Sequence, residues 1–65
     1  MAKGKKTYKV NSPSGLNVRQ HPVKDAKILR VLAEGASVAA DPTVDTPAGW
    51  LAVLGGGFVM AEYLK

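Results

Sequence analysis

Residues 50–60, WLAVLGGGFVM, contain two short apolar runs that three consecutive glycines separate. Glycine accepts the positive backbone φ angles of tight hairpin turns, so this is the strongest local turn signal in the chain. We therefore predict two antiparallel strands, Trp50–Leu54 and Phe58–Met60, joined by Gly55–Gly57. Both runs are shorter than a typical helix, and β-branched and aromatic residues contribute to them.

Four further runs on the N-terminal side of this hairpin have the composition of short strands. They are Thr7–Val10, Leu16–Arg19, Ile28–Leu32 and Ala36–Ala40, and clusters of Gly, Pro, Asn, Asp and Ser lie between several of them. A helix is the alternative for Ile28–Leu32, because residues 26–34 include several good helix formers. Gly35 ends that run and suits a positive φ. Residues 61–64 are predicted to form a single helical turn.

The chain has 65 residues, enough for one domain with a thin core. A flat sheet of short strands would leave two unpaired edges, so we predict an all-β fold, a small five-stranded and partly open barrel. The barrel domain is assigned to residues 7–65, after a flexible basic leader at residues 1–6. The chain has no cysteine and one histidine, so we expect no disulfide, no metal site and no cofactor.

The net charge of +4 arises mainly in the leader, where Lys3, Lys5 and Lys6 lie. Without these three lysines, six basic residues face five acidic ones, which leaves +1. A nucleic-acid interface needs a basic stripe on the folded surface, so nucleic-acid binding is the weakest of the functions considered. The leader precedes no apolar segment, so we expect neither a signal peptide nor a membrane span. This predicts either a cytoplasmic protein or an excised piece of a longer protein.

Five short motifs occur in a fixed order along the chain. They are Leu16-Asn17-Val18-Arg19 with Pro22, Ile28–Leu32 with Gly35 and Val38, Gly49–Val53, Gly57–Val59, and Tyr63-Leu64. Together they resemble the motifs of the bacterial SH3 (SH3b) domain family. The resemblance extends from about Tyr8 to Leu64. Phe58 stands where the family usually has Trp, and Ala52 where Lys or Arg is common.

The resemblance implies an SH3-like barrel that binds a ligand without converting it. Domains of this family often hold peptidoglycan, frequently its peptide part. We therefore expect a peptide- or peptidoglycan-binding module, which would act at a cell wall if the chain is a piece of a longer secreted or phage protein. A fold alone does not define function, however, and two other classes stay open. One is a small assembly protein, for example from a phage, and the other is a nucleic-acid-binding barrel that uses the basic leader.

Six residues are candidates for ligand binding. They are Tyr8, Asn17, Arg19, His21, Trp50 and Tyr63. Asn17 and Arg19 alternate with Leu16 and Val18, so both face outward and could bind a peptide backbone and a carboxylate. The simpler interpretation is that Asn17 hydrogen-bonds the backbone of the turn and that Arg19 pairs with Glu34 or Glu62 on the surface. Trp50 either stacks on a ligand or closes one end of the barrel, and His21 is either a simple loop residue or a contact.

Nothing in the sequence suggests an enzyme. Nucleophilic catalysis needs a base beside Ser or Cys, and His21 is the single histidine. Paired carboxylates work across a cleft, whereas Asp41 and Asp45 lie in one Pro-rich loop. We therefore expect no catalytic activity.

The 50–60 hairpin is also the candidate association surface. Between Trp50 and Met60 no side chain is polar, whereas barrel strands in water normally alternate. Contiguous apolar patches mark contact sites. The residues assigned to this surface are Trp50, Ala52, Leu54, Phe58 and Met60. The expected partner is a second copy of the chain or a larger assembly.

Overall fold

The computed structural model describes residues 6–65, so the predicted basic leader lies outside the described residues except for Lys6. Within this part of the chain, the fold is all-β, as predicted, with one short 3-10 helix. The elements are β1 (Thr7–Lys9), β2 (Leu16–Arg19), β3 (Ile28–Leu32), β4 (Ser37–Ala39), β5 (Trp50–Ala52), β6 (Phe58–Met60) and the 3-10 helix Ala61–Tyr63. No helix in residues 6–65 has the length and apolar character needed to cross a membrane.

Residues 28–32 form a strand, so the alternative of a helix there is wrong. In the described residues each of the six predicted runs contains a strand, one more than the five strands of the predicted barrel. Predicted strand Trp50–Leu54 ends at Ala52, and Val53 instead forms an isolated bridge with Ala40. It ends there because the chain begins to turn at Leu54, before the first glycine.

The six strands form two antiparallel sheets. β1 pairs with β4, and the second sheet has the order β3-β2-β6-β5. The structure also has two isolated β-bridges. One joins Ala40 to Val53, between the ends of the two sheets, and the other joins Val10 to Leu64. β2 is therefore central in its sheet, whereas β3 lies at its edge.

The core consists mainly of valine. Its buried members are Val10, Leu16, Val18, Val38, Val53 and Val59. β-Branched side chains pack well on a pleated sheet, which explains why a core so small uses valine so often. As predicted, Leu16 and Val18 point inward from β2, while Asn17 and Arg19 are only half-buried.

The glycine hairpin closes against this core. The Val53 N–H donates to the Gly57 carbonyl, and the Gly56 N–H donates to the Val53 carbonyl, both at 2.9 Å. Gly57 has a φ of 97°, and a Cβ there would overlap a γ-methyl of Val18. Gly35 has a φ of 85°, as predicted, but its missing Cβ would point into open space. Glycine is thus required at position 57 for close packing as well as for φ.

Candidate functional site

An open cavity of about 330 Å³ lies between β2 and the end of β6. Its lining residues are Ser12, Ser14, Gly15, Leu16, Asn17, Arg19, Met60 and Tyr63. β2 and β6 pair at a single register position, Arg19 with Phe58. Continuing this antiparallel register would bring Asn17 opposite Met60, where the two strands are no longer paired. The cavity is therefore the gap that opens as the strands separate.

Alternation along β2 places two polar side chains at this gap. Leu16 and Val18 bury their side chains in the core, so Asn17 and Arg19 project from the opposite face of the strand. Asn17 offers an amide that both donates and accepts hydrogen bonds. The same strand thus supplies core packing and the polar edge of the cavity.

Arg19 is held in place by a loop. Its Nη1 donates to the Ala26 carbonyl at 3.0 Å, and the Gln20 N–H donates to the Lys27 carbonyl at 2.8 Å. These bonds fold residues 20–27 back onto β2. A guanidinium has five N–H donors. Arg19 therefore anchors its own loop and still has donors for a ligand.

Tyr63 forms the aromatic side of the cavity. Its side chain is 38% exposed, and its backbone carbonyl accepts the Asn11 N–H at 2.7 Å. The Ala61 N–H donates to the Gly49 carbonyl at 2.8 Å, which fixes the start of the 3-10 helix. The Tyr63 ring is consequently presented by backbone contacts at both ends of a short helix.

The turn at residues 12–15 forms the remaining wall. The Gly15 N–H donates to the Ser12 carbonyl at 3.0 Å, so the turn is closed by its own backbone. Ser12 and Ser14 line the cavity, and Ser12 is buried. Sequence reasoning missed both serines, because a Ser-Pro-Ser-Gly segment is typical of a turn whatever its function. A buried serine within such a turn is not visible in the sequence.

Among residues 6–65, those that line the cavity include one cation, Arg19, and no acidic residue. Such a lining favours a carboxylate or another anion, and the hydroxyl and amide groups add hydrogen-bonding capacity. Every fully buried side-chain nitrogen or oxygen in residues 6–65 has a hydrogen-bond partner. The atoms of the cavity's polar groups that stay available for a ligand are therefore the solvent-facing ones.

The other predicted ligand residues lie elsewhere. Trp50 is opposite Met60 in the β5–β6 pair, so it adjoins the cavity without lining it. Tyr8 lies opposite Val38 in the other sheet, and the exposed His21 lies in the loop after β2. The structure thus brings Asn17, Arg19 and Tyr63 together and leaves Tyr8 and His21 apart from them.

The proposed association surface is less exposed than its composition suggests. Register places Trp50, Ala52, Phe58 and Met60 on one face of the hairpin, because Trp50 pairs with Met60 and Ala52 with Phe58. Trp50, Phe58 and Met60 are half-buried, and Leu54 is exposed. Ala52 is only 5% exposed, so of the five residues predicted for this surface it offers very little area to a partner.

Ala52 is buried because a loop lies against its strand. The Asp41 N–H donates to the Ala52 carbonyl at 2.9 Å, and the Thr46 hydroxyl donates to the Trp50 carbonyl at 3.0 Å. In this loop the Thr43 hydroxyl donates to the Asp41 carboxylate at 2.6 Å, and the Thr43 N–H donates to it at 3.0 Å. These two hydrogen bonds, that of the hydroxyl first, lower the Asp41 pKa below its ordinary value of 3.8. This pKa shift belongs to a turn and not to the cavity.

No group of three or more His, Cys, Asp or Glu residues that could hold a metal ion occurs in residues 6–65. Comparison of the chain with protein-family models, curated proteins and solved structures gives no match. The case for a function therefore depends on the cavity and on the residues that form it.

Proposed function

We propose that this protein is a non-catalytic binding module with an SH3-like, partly open barrel, which holds an extended peptide of the bacterial cell wall. The observation that carries the proposal is the cavity where Asn17, Arg19 and Tyr63 meet. The bridges Ala40–Val53 and Val10–Leu64 support the barrel, because they continue the pairing between the ends of its two sheets.

The chemistry of the lining suits a peptide. The Asn17 amide can donate to a backbone carbonyl and accept from a backbone N–H, so it can bind any sequence in extended form. The free donors of Arg19 can bind a carboxylate, and the Tyr63 ring provides an apolar surface with a polar hydroxyl. A cavity of about 330 Å³ is at the small end of ligand sites, so small residues such as Gly and Ala fit it best.

A cell-wall peptide meets these requirements, and the choice of this ligand class relies on the resemblance to SH3b domains. Leu16–Arg19 is one of the five motifs of that resemblance, and it also supplies Asn17 and Arg19 to the cavity. Peptide specificity of this kind depends on a few side chains around a backbone-binding groove.

The test is binding to purified peptidoglycan, by co-sedimentation and then by titration of its soluble peptide fragments against Trp50 fluorescence. Asn17→Ala and Tyr63→Ala should each weaken binding by about tenfold or more, as for central contact residues. Ser37→Ala is the matched control, since Ser37 is exposed on β4 in the other sheet. If both cavity variants bind as well as the control, the cavity is not the site.

The alternative of an assembly protein is favoured by one observation. Trp50, Phe58 and Met60 form an apolar row on one face of the four-stranded sheet. If a second copy covers this row, light scattering on a size-exclusion column should show a dimer or larger ring. Phe58→Lys should then convert it to a monomer, and a wild-type monomer at all concentrations would exclude this alternative.

A further inference from the structure

The most exposed apolar part of the described chain is neither the cavity nor the 50–60 hairpin, but β3. Ile28, Leu29 and Val31 are 44%, 45% and 60% exposed, and Val23 in the preceding loop is 53% exposed. Exposed apolar residues scattered singly need no explanation, but these three share one five-residue strand. A contiguous apolar surface of this kind indicates a contact.

β3 also has a free backbone edge. It is the terminal strand in the order β3-β2-β6-β5 and pairs only with β2 within residues 6–65. An edge strand presents unpaired N–H and C=O groups, and natural proteins usually protect such an edge with proline or charge. β3 has no proline and one charged residue, Arg30. A bulge at Leu29, between the pairs Arg19–Ile28 and Val18–Arg30, is its other interruption.

The apolar side chains Ile28 and Val31 and the charged side chain Arg30 of β3 lie on opposite faces of the sheet. Ile28 lies opposite Arg19 and Val31 opposite Asn17, so both belong to the outward face of the sheet. Arg30 lies opposite Val18 on the other face, and its Nη2 reaches to 3.5 Å from the Gly56 carbonyl. That distance is too long for a strong hydrogen bond. The guanidinium thus keeps its donors available at the edge.

A second copy is a poor occupant for this edge. Burying one aliphatic side chain completely removes roughly 60–120 Å² from water, so four half-exposed side chains offer roughly 120–240 Å² per copy. This area is far below the about 800 Å² per partner that a stable dimer buries, so the edge suits a partner held mainly by backbone pairing and by charge. Antiparallel self-pairing centred on Arg30 would also place two guanidinium groups opposite each other, which is unfavourable.

The positive charges at and beside β3 favour a different kind of binding partner. Lys27, immediately before β3, and Arg30 within it are both exposed and positive, and no acidic residue lies in residues 27–32. We propose that the β3 edge binds an extended segment of another protein in which apolar residues alternate with acidic ones. The segment adds as a further strand, with apolar side chains beside Ile28 and Val31 and acidic ones beside Arg30. Backbone hydrogen bonds and alternating side chains are the general basis of such strand addition.

The test uses two synthetic peptides and the intact ¹⁵N-labelled protein. One peptide is acetyl-VEVEV-amide, and the other replaces both glutamates with lysine, so the two differ only in charge. Amide chemical shifts are followed during each titration at low ionic strength, where exposed charges interact most strongly. The acidic peptide should shift the amides of residues 28–32 and bind about three- to tenfold more tightly than the basic one.

Arg30→Glu sharpens the test, because an exposed edge residue can be reversed in charge without disturbing the core. This variant should invert the preference between the peptides by a similar factor. Ser37→Glu, on the other sheet, is the matched control and should preserve the original preference. The proposal is overturned if neither peptide shifts β3, if both bind equally, or if the shifts centre on Asn17 and Tyr63. The last outcome would leave the cavity as a peptide site and remove the edge as one.

Discussion

β2 and β3 pair with each other along most of their length, yet the fold buries them very differently. β2 has two apolar residues among four, Leu16 and Val18, and both are buried. β3 has four apolar residues among five, and none of them is buried. The more hydrophobic strand is the more exposed one.

Position in the sheet explains this difference. β2 has a strand on each side and the valine core beneath it, whereas β3 has one neighbouring strand among the described residues and carries a bulge. Only Leu32, at the end of β3, packs against the core. Burial in a domain this small therefore depends on sheet order more than on the composition of a strand. The predictions below test this contrast.

The largest effect is expected at Gly57, which lies against both strands. A Cβ there would overlap a Val18 γ-methyl on β2 and approach a Leu29 methyl on β3 at 3.5 Å. Gly57→Ala combines this overlap with an unfavourable positive φ, so it should destabilise the protein by about 3 kcal/mol or more. Gly35→Ala has the φ penalty alone and should cost about 1 kcal/mol. Urea unfolding of both variants gives the comparison, and equal losses would mean that close packing at Gly57 contributes nothing.

The direct comparison of the strands uses the same substitution on each. Val18→Ala removes two buried methyl groups from β2 and should cost about 2–3 kcal/mol. Val31→Ala removes the same atoms from the exposed face of β3 and should cost less than about 1 kcal/mol. The midpoints of chemical unfolding measure both. Similar losses at the two positions would show that β3 is covered in solution.

A smaller effect is expected on the outward face of β2. Arg19→Met keeps the length of the side chain but removes the bond to the Ala26 carbonyl, so it should cost about 1 kcal/mol. Hydrogen exchange should become faster at Gln20 and neighbouring loop amides while that of Val18 stays slow. If the loop keeps its protection in this variant, the bond does not hold residues 20–27.

The smallest effect lies outside both strands, at Asp41. Hydrogen bonds from Thr43 lower its pKa in the folded protein, so the ionised form contributes stability above the ordinary value of 3.8. This contribution is lost as the pH falls through the folded pKa. Asp41→Asn should therefore be slightly less stable than the wild type at neutral pH, and the difference should vanish in acid. Thermal unfolding across this range is the measurement, with Asp45→Asn as the control, and a constant difference would contradict the assignment.

Much of the fold could be predicted because its signals are local. The glycines at 55–57 and the alternation in Leu16–Arg19 depend only on neighbouring residues, and the strands lie where these patterns placed them. Exposure could not be predicted in the same way. Residues 50–60 and 28–32 are similarly apolar, and β5 and β3 are both edge strands of the four-stranded sheet. The loop that contains Asp41 and Thr46 lies against β5, whereas β3 stays exposed in the described residues.

Only part of the candidate site could likewise be predicted from the sequence. Alternation alone indicated that Asn17 and Arg19 share a face, and both line the cavity. The contribution of Ser12 and Ser14 depends on a turn that folds against the 3-10 helix through the bond from Asn11 to Tyr63. Contacts between segments so distant in sequence leave no pattern in either segment. The prediction that His21 and Tyr8 belong to the site depends on their residue types alone, and the type of a residue does not determine where its side chain lies in the fold.

The pairing of Lys9 with Lys65 has a consequence for the rate of folding rather than for the stability of the folded protein. These residues exchange two backbone hydrogen bonds, of 3.1 and 2.9 Å, and the next residues form the Val10–Leu64 bridge. The partners are 56 positions apart (65 minus 9). Contacts between such distant residues form only after the intervening chain has been confined, and they slow the folding of small β domains to roughly milliseconds or seconds. We expect β1 to acquire its last partner late, after the hairpin at the glycines has already closed.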